Sequence, residues 1–377
     1  MNARGIGSSL VVVAFGWGLV GCAQGGPFSN AAREAGAREE QQEQPAAEPP
    51  TPPPAQPARR SLRVSGWLPH WTQPEGDAVI DAQAGYGLDE VNPFGIGLQP
   101  DGSLIKEGGI ERQRRIDAVH ARGGEVIPTI FDVHDKQATK SVLASATRRA
   151  TAIREILAVL DGRDYDGIDM DLEHAGTAER GALTAFLTEL GREVQARGKV
   201  FSLTLPGKSQ DLPSWGGYDY AALGKVADRV KLMCYGFSGS WSDPGPIAPV
   251  SWLRKVLAYA VSVIPREKIY LGLPLYGFAW SDDGSVKAKT LSAAEARDLL
   301  KLSPGGLHYV PSLGEAWFSY PDAEDGVGRT VFFSEERSIA AKAAVAREFG
   351  VAGISLWALG FGDDAIWQGL RSAIAPR

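Results

Sequence analysis

Eight short apolar or β-branched runs, most of them followed by a longer helical pattern, constrain this chain more than any other feature. A strand followed by a helix delivers the chain back parallel to its start, so the repeated alternation predicts a parallel α/β sheet. The runs are 62–67, 88–94, 125–131, 167–173, 200–205, 229–235, 269–275 and 353–357. Between them lie helical patterns, for example 110–122, 142–160, 178–197, 251–263 and 334–349. Eight strand and helix pairs close as a (β/α)8 TIM barrel. The gap between the seventh run and its helix, 278–329, is longer and holds Gly, Pro and aromatic residues, which predicts a small inserted α+β subdomain. A doubly wound open sheet is the competing architecture. It would advertise a Gly-rich phosphate turn after its first strand, and Ser65-Gly66-Trp67-Leu68-Pro69 is nothing like one.

Within the fourth run, Asp166-Gly167-Ile168-Asp169-Met170-Asp171-Leu172-Glu173 sets acidic and apolar residues in strict alternation. Period two places Asp169, Asp171 and Glu173 on one face of a strand and Ile168, Met170 and Leu172 on the other. A strand flanked by apolar strands and helices turns such an acidic face toward an enclosed space. Three crowded carboxyls repel one another, which favours protonating at least one and points to acid catalysis. Barrel sites form at the C-terminal strand ends, so Glu173 is expected at the mouth. Asp171, two residues and about 6.6–7 Å back along the backbone, is expected to hydrogen-bond the Glu173 carboxyl and share its proton.

The N-terminal part reads differently. Residues 1–20 carry Arg4 and an apolar run around 10–20, followed by Gly21-Cys22. That pattern is expected to be a secretory signal spanning residues 1–21, and the run is short of the roughly 20 residues of a spanning helix. Leu19-Val20-Gly21-Cys22 resembles a bacterial lipobox, which implies that Cys22 is lipidated and becomes the mature N-terminus. Residues 22–60 are rich in Ala, Gln, Glu and Pro and are expected to form a disordered tether. The folded barrel is then 61–377, and the expected setting is the bacterial cell envelope, with the barrel exported and held to a membrane by its lipid. The second of the two cysteines, Cys234, reads as a buried thiol.

The spacing of Asp166, Asp169, Asp171 and Glu173 resembles the DxxDxDxE signature of glycoside hydrolase family 18, the chitinases and related hydrolases. The likeness extends in order over 61–377. Ser65-Gly66-Trp67-Leu68-Pro69 resembles the family's first strand, Met233-Cys234-Tyr235 its sixth and 271–278 its seventh, while Ile354-Ser355-Leu356-Trp357 resembles its eighth. The resemblance implies a retaining, substrate-assisted glycosidase with no cofactor, acting on an N-acetylglucosamine polymer. It casts Glu173 as general acid, Asp171 as the residue orienting the substrate's acetamido group, Asp169 as the buried partner of Asp171, and Tyr235 as a hydrogen-bond donor to that group. Trp357 would form the floor under the reacting sugar, a stacking role suited to an indole. Tyr276, Trp67 and Met233 complete the expected substrate-binding set. Trp71, Trp241 and Trp280 also fall near expected strand mouths. The family usually follows the sixth-strand Tyr with an acidic or amide residue, whereas this chain has Gly236. Ser240–Pro246 and the stretch from Phe333 to Lys342 resemble the bacterial branch of spore-cortex and peptidoglycan glucosaminidases.

Other classes fit less well. A formal charge of −6 without a basic patch argues against nucleic acid as a partner. Alternating carboxylates could bind a metal, but a strand cannot wrap a cation as a calcium loop does. The five histidines show no paired ligand spacing. The alternative from another class is a lectin-like barrel that binds glycan without cleaving it; Glu173, which such proteins typically lose, is present.

Overall fold

The computed structural model describes residues 61–82, 87–212 and 216–375. The expected signal, Cys22 and the tether lie outside the described residues. Eight parallel strand positions close a barrel: β1 (Arg63–Pro69), β2 (Glu90–Leu98), β4 with β5 (Glu125–Val126, Thr129–Phe131), β6 (Gly167–Asp171), β7 (Val200–Pro206), β8 (Arg229–Met233), β9 (Ile269–Pro274) and β15 (Gly353–Trp357). Closure comes where β1 pairs with both β15 and β2. A short β3 (Leu104–Lys106) folds back antiparallel on β2. The third expected run is split at Pro128, which has no N–H to give to a ladder.

The helices form an outer ring. The expected helix 142–160 is two, Ala138–Leu143 and Ala146–Asp161, because Ser145 turns extended and caps the second by accepting the Arg148 N–H. Helix Glu336–Phe349 begins under the Glu335 carboxylate and stops at Gly350, whose φ of 63° only glycine adopts at little cost. Short helices at Glu75–Asp81 and Tyr220–Val226 were not apparent from periodicity. Among the described residues no helix is long and apolar enough to cross a membrane.

The inserted subdomain is a five-stranded antiparallel sheet, ordered β11 (Lys289–Ser292), β10 (Tyr276–Ser281), β14 (Gly328–Phe333), β13 (Glu315–Pro321), β12 (His308–Val310), with one helix, Ala293–Leu300. It starts slightly before the expected boundary, at Tyr276, because the Leu275 N–H donates to Trp357 O and the chain leaves the barrel directly afterwards. The subdomain is anchored to the barrel's mouth. Trp280 donates its indole N–H to Gly239 O at 3.1 Å, and buried Glu315 accepts from Ala248 N while pairing with buried Lys342 at 2.8 Å.

Alternation sorts the barrel strands into two environments. On β6, Met170 points outward and, with Leu172 just beyond the strand, lines an apolar space with Leu183 and Leu187 of helix Arg180–Ala196. Asp169 and Asp171 are buried on the inner face. Barrel interiors are usually filled by bulky branched residues. Here the lower and middle interior is polar, with Ser65, Glu90, Asn92, Thr129, Ser202, Thr204 and Lys231 all buried, and the aromatic residues are concentrated at the mouth.

Candidate active site

Strand β6 ends at Asp171, two residues short of Glu173. The cause is Asp132, the residue immediately after β5. Its fully buried carboxylate accepts the Glu173 N–H at 2.8 Å and the His174 N–H at 3.1 Å. These donors are thereby taken by a side chain, and the backbone carrying Glu173 is pinned over the mouth. Asp132 also accepts from Thr139 Oγ1 at 2.6 Å and lies 3.0 Å from His174 Nδ1. Sequence reasoning missed Asp132, although its place directly after an apolar strand run is where a barrel presents chemistry.

Asp171 is buried, and Glu173 is partly exposed at the mouth. Asp171 Oδ1 and Glu173 Oε1 are buried atoms without a hydrogen-bond partner among the described residues. No hydrogen bond joins the two carboxyls among the described residues; the interaction between them is electrostatic. Burial, then Glu173, Asp169 and Asp132, push the Asp171 carboxyl well above the usual carboxylate range. Burial followed by the Asp132 charge raises Glu173 to about 8, against a smaller opposing effect of His174. Glu173 is consequently protonated at neutral pH, the state a general acid requires.

Asp169 is fully buried beneath this pair and is saturated with donors rather than bonded to Asp171. It accepts from Ser202 Oγ at 2.5 Å, from Thr129 Oγ1 and Thr204 Oγ1 at 2.9 Å each, and from the Trp67 indole N–H at 3.4 Å. The fourth acidic residue of the signature, Asp166, sits at the opposite end of the barrel. It accepts from Val126 N and contacts His120 Nε2 at 2.8 Å, a purely structural placement.

Trp357 closes β15 at 6% exposure and stands edge-on to Phe94, centroids 5.0 Å apart. Tyr235 lies nearly parallel to it, 6.4 Å away. Burial, then Asp171 and Glu173, push the Tyr235 hydroxyl well above its ordinary value, so it remains a donor. Tyr276 donates to Tyr235 O at 2.8 Å and so braces the strand end. Trp67, expected to touch substrate, is only 1% exposed, and its ring centre lies 6.0 Å from that of Trp357. Met233 is buried at the end of β8. Trp71 packs 6.2 Å from Trp357, Trp280 is buried in the subdomain wall, and Trp241 is exposed on the rim. A Cβ at Gly236 would meet nothing within 4 Å, so the missing side chain leaves open space beside Tyr235. Cys234 is a buried thiol, pushed up by burial. Among the described residues no group of three or more His, Cys, Asp or Glu side chains could hold a metal ion.

Comparison with known proteins bears on this arrangement. The chain is 31% identical over 227 residues to YdhD of Bacillus subtilis (strain 168), whose name marks it as a sporulation-specific glycosylase. That match covers 59% of this chain and spans only about half, 53%, of YdhD. A cortical fragment-lytic enzyme of Bacillus cereus is 30% identical over 324 residues, covering 82% of this chain and 74% of the relative. The crystal structure of a chitinase from Chromobacterium violaceum ATCC 12472 superposes with a TM-score of 0.76 at 25% identity, over 84% of this chain and all of that one. Residues 100–362 match the profile of Glycosyl hydrolases family 18, a span that contains Asp132, Asp169, Asp171, Glu173, Tyr235 and Trp357. The chain belongs to glycosyl hydrolases family 18.

Proposed function

We propose that this protein is a retaining, substrate-assisted hydrolase of β-1,4 linkages at N-acetylglucosamine, acting on chitin or on peptidoglycan glycan strands. In this reading Glu173 gives its proton to the leaving glycosidic oxygen while the substrate's own acetamido oxygen attacks C1. Asp171 accepts the acetamido N–H and steadies the resulting oxazolinium ring, with Tyr235 donating its hydroxyl to the acetamido group. Glu173, now ionised, then takes a proton from water as the water opens the ring at C1. The observation that carries the reading is the pair of buried, partnerless oxygens on Asp171 and Glu173, whose carboxyls both hold protons more tightly than usual. Trp357 supplies an aromatic surface next to them for the sugar's apolar face.

The name of the cortical fragment-lytic relative from Bacillus cereus supports a glycan of the spore cortex as substrate, and that of the Chromobacterium violaceum chitinase supports chitin. Lipidation at Cys22 would hold the barrel in the cell envelope, close to a peptidoglycan substrate. The test is product mass spectrometry on chitooligosaccharides and on purified peptidoglycan, with and without Glu173→Gln. Cleavage at N-acetylglucosamine that disappears in the variant supports the proposal, and the preferred polymer names the substrate. Binding without cleavage by the unaltered protein would make it a glycan-binding barrel instead.

A further inference from the structure

Below the site, six side chains form one continuous line of ion pairs in which the sign of charge alternates at every step. Arg63 pairs with Glu125, and Arg229 reaches Glu125 at 2.8 Å. Arg229 also pairs with Glu90, and Lys231 lies 2.7 Å from Glu90 Oε1 and 3.4 Å from Asp169 Oδ1. The line starts at the barrel's N-terminal rim and ends on the inner face of β6. Lys231 is fully buried, as are Glu90 and Asp169. Three cations face three anions, so the line is neutral when Asp169 is ionised. A buried charge without a partner costs several kcal/mol, which makes that neutral state the favoured one.

The groups facing Lys231 are few. Glu90 comes from β2, Asp169 and Asp171 from β6, and Arg229 and Tyr235 from its own strand and its continuation. Its neighbours from β1, β5 and β7 are Trp67, whose ring centre is 5.6 Å away, and the hydroxyls of Thr129, Ser202 and Thr204 around Asp169, all of them uncharged. Tyr270 on β9 faces Glu90 and Arg229 at the rim. Above Asp169 the alternation stops, for Asp171, Glu173 and Asp132 are all acidic: at Asp171 the raising effect of the Asp169 charge outweighs the opposing one of Lys231, and at Glu173 the partly buried His174 opposes the rise.

Resting on the hydrolase reading above, we propose that Lys231 is a positioning residue for the reaction: its ammonium fixes Asp169 as an anion, whose charge in turn favours a proton on the Asp171 carboxyl. Burial opposes ionisation of Glu90, yet Lys231 and Arg229 hold its carboxyl down at about 2, so Glu90 cannot supply a proton to the line. A proton on Asp169 would leave Lys231 with an excess of positive charge and would take from Asp171 one of the neighbouring anions that raise it. Lys231 acts through Asp169 and does not touch the substrate.

The test compares Lys231→Met and Lys231→Arg with the unaltered protein. Without the ammonium, Asp169 takes up a proton at higher pH, and the acidic limb of kcat/KM moves upward by about 1–3 pH units, the usual effect of one close opposite charge. Lys231→Arg keeps the limb near its original position. Because Lys231→Met leaves Glu90 short of a partner, the double variant Lys231→Met/Glu90→Gln removes one cation and one anion together and must show the same displacement. Carbon-13 shifts of the Asp169 carboxyl, followed through the same pH range, read its charge without any substrate. An Asp169 that titrates in the folded methionine variants but stays ionised in the unaltered protein supports the proposal. Unchanged limbs and an unchanged Asp169 titration in either folded variant would reduce Lys231 to a structural ion pair. Failure of the unaltered protein to cleave any glycan would count against the hydrolase reading, while the carboxyl titration would still decide the role of Lys231.

Discussion

Replacing Glu173 by Gln is expected to make the protein more stable at alkaline pH while removing its turnover. Folding raises the Glu173 carboxyl from an ordinary 4.5 to about 8, chiefly by burying it and then by the Asp132 charge. The folded state thus binds a proton that the unfolded chain has already released, and stability falls as pH rises from 4.5 to about 8, where the loss levels off. At about 1.4 kcal/mol per pH unit this amounts to at most about 5 kcal/mol, and allowing for the side chain's partial exposure leaves about 2–4 kcal/mol. Glutamine keeps the size of the side chain but carries no charge at any pH, so it escapes the whole loss and also relieves its repulsion of Asp171. Urea denaturation at pH 5 and pH 9 measures the effect. With an m value of about 3 kcal/mol/M, the variant's midpoint should exceed the unaltered protein's by roughly 1 M at pH 9 and by much less at pH 5. Turnover should fall by a factor of about 10² to 10⁴ or more, the contribution of general acid catalysis. A stability difference that is the same at both pH values would refute the argument that Glu173 is held protonated by its surroundings.

Asp132→Asn substitutes one amide for one acceptor, so either the Glu173 or the His174 backbone N–H loses its partner. Stability should drop by about 1–3 kcal/mol, and without the Asp132 anion Glu173 releases its proton at lower pH, which moves the alkaline limb of activity down from about 8. Thermal unfolding and a pH–rate profile check both, and an unmoved limb in a destabilised variant would confine Asp132 to a structural role. Gly236→Asp adds a carboxylate in open space beside Tyr235. Folding should change by less than about 0.5 kcal/mol, while one new charged hydrogen bond to the sugar, about 1.5 kcal/mol, should lower KM for short N-acetylglucosamine oligomers roughly tenfold. Steady-state kinetics on defined oligomers decides, and an unchanged KM would show that the space beside Tyr235 is not part of the sugar site.

The barrel was legible because its strands repeat an apolar signal at intervals set by the intervening helices. Boundaries drifted where local chemistry overrode the pattern. Pro128 split one strand, Ser145 divided one helix, and Asp132 ended β6 early by taking two backbone donors from elsewhere in the sequence. Such a contact spans 41 residues and leaves no trace in local periodicity. Asp169, Asp171 and Glu173 were found because period two and a specific spacing agreed on them. For Trp67, strand position identifies which way the side chain points but not how deeply it is buried, here to 1% exposure. Lys231 was visible as a charge between Val230 and Leu232, on the same strand face as Met233 and Tyr235. Its meaning was hidden, since its partners Glu90 and Asp169 come from two other strands.

The composition of the barrel interior follows from the protonation problem that the site poses. An apolar filling would stabilise the fold at least as well as buried ion pairs, which commonly only balance their own desolvation. It would also leave Asp169, Asp171 and Glu173 to compete for protons with no cation to rank them. The line ending at Lys231, with the three hydroxyls around Asp169, supplies that ranking by favouring charge at the bottom of the acidic strand. Asp132 does the reverse at the top, where its anion opposes ionisation of Glu173. The acidic strand therefore lies in a field that runs from cation below to anion above. Along it, carboxyls of similar intrinsic acidity meet opposite surroundings, a cation beside Asp169 and an anion beside Glu173.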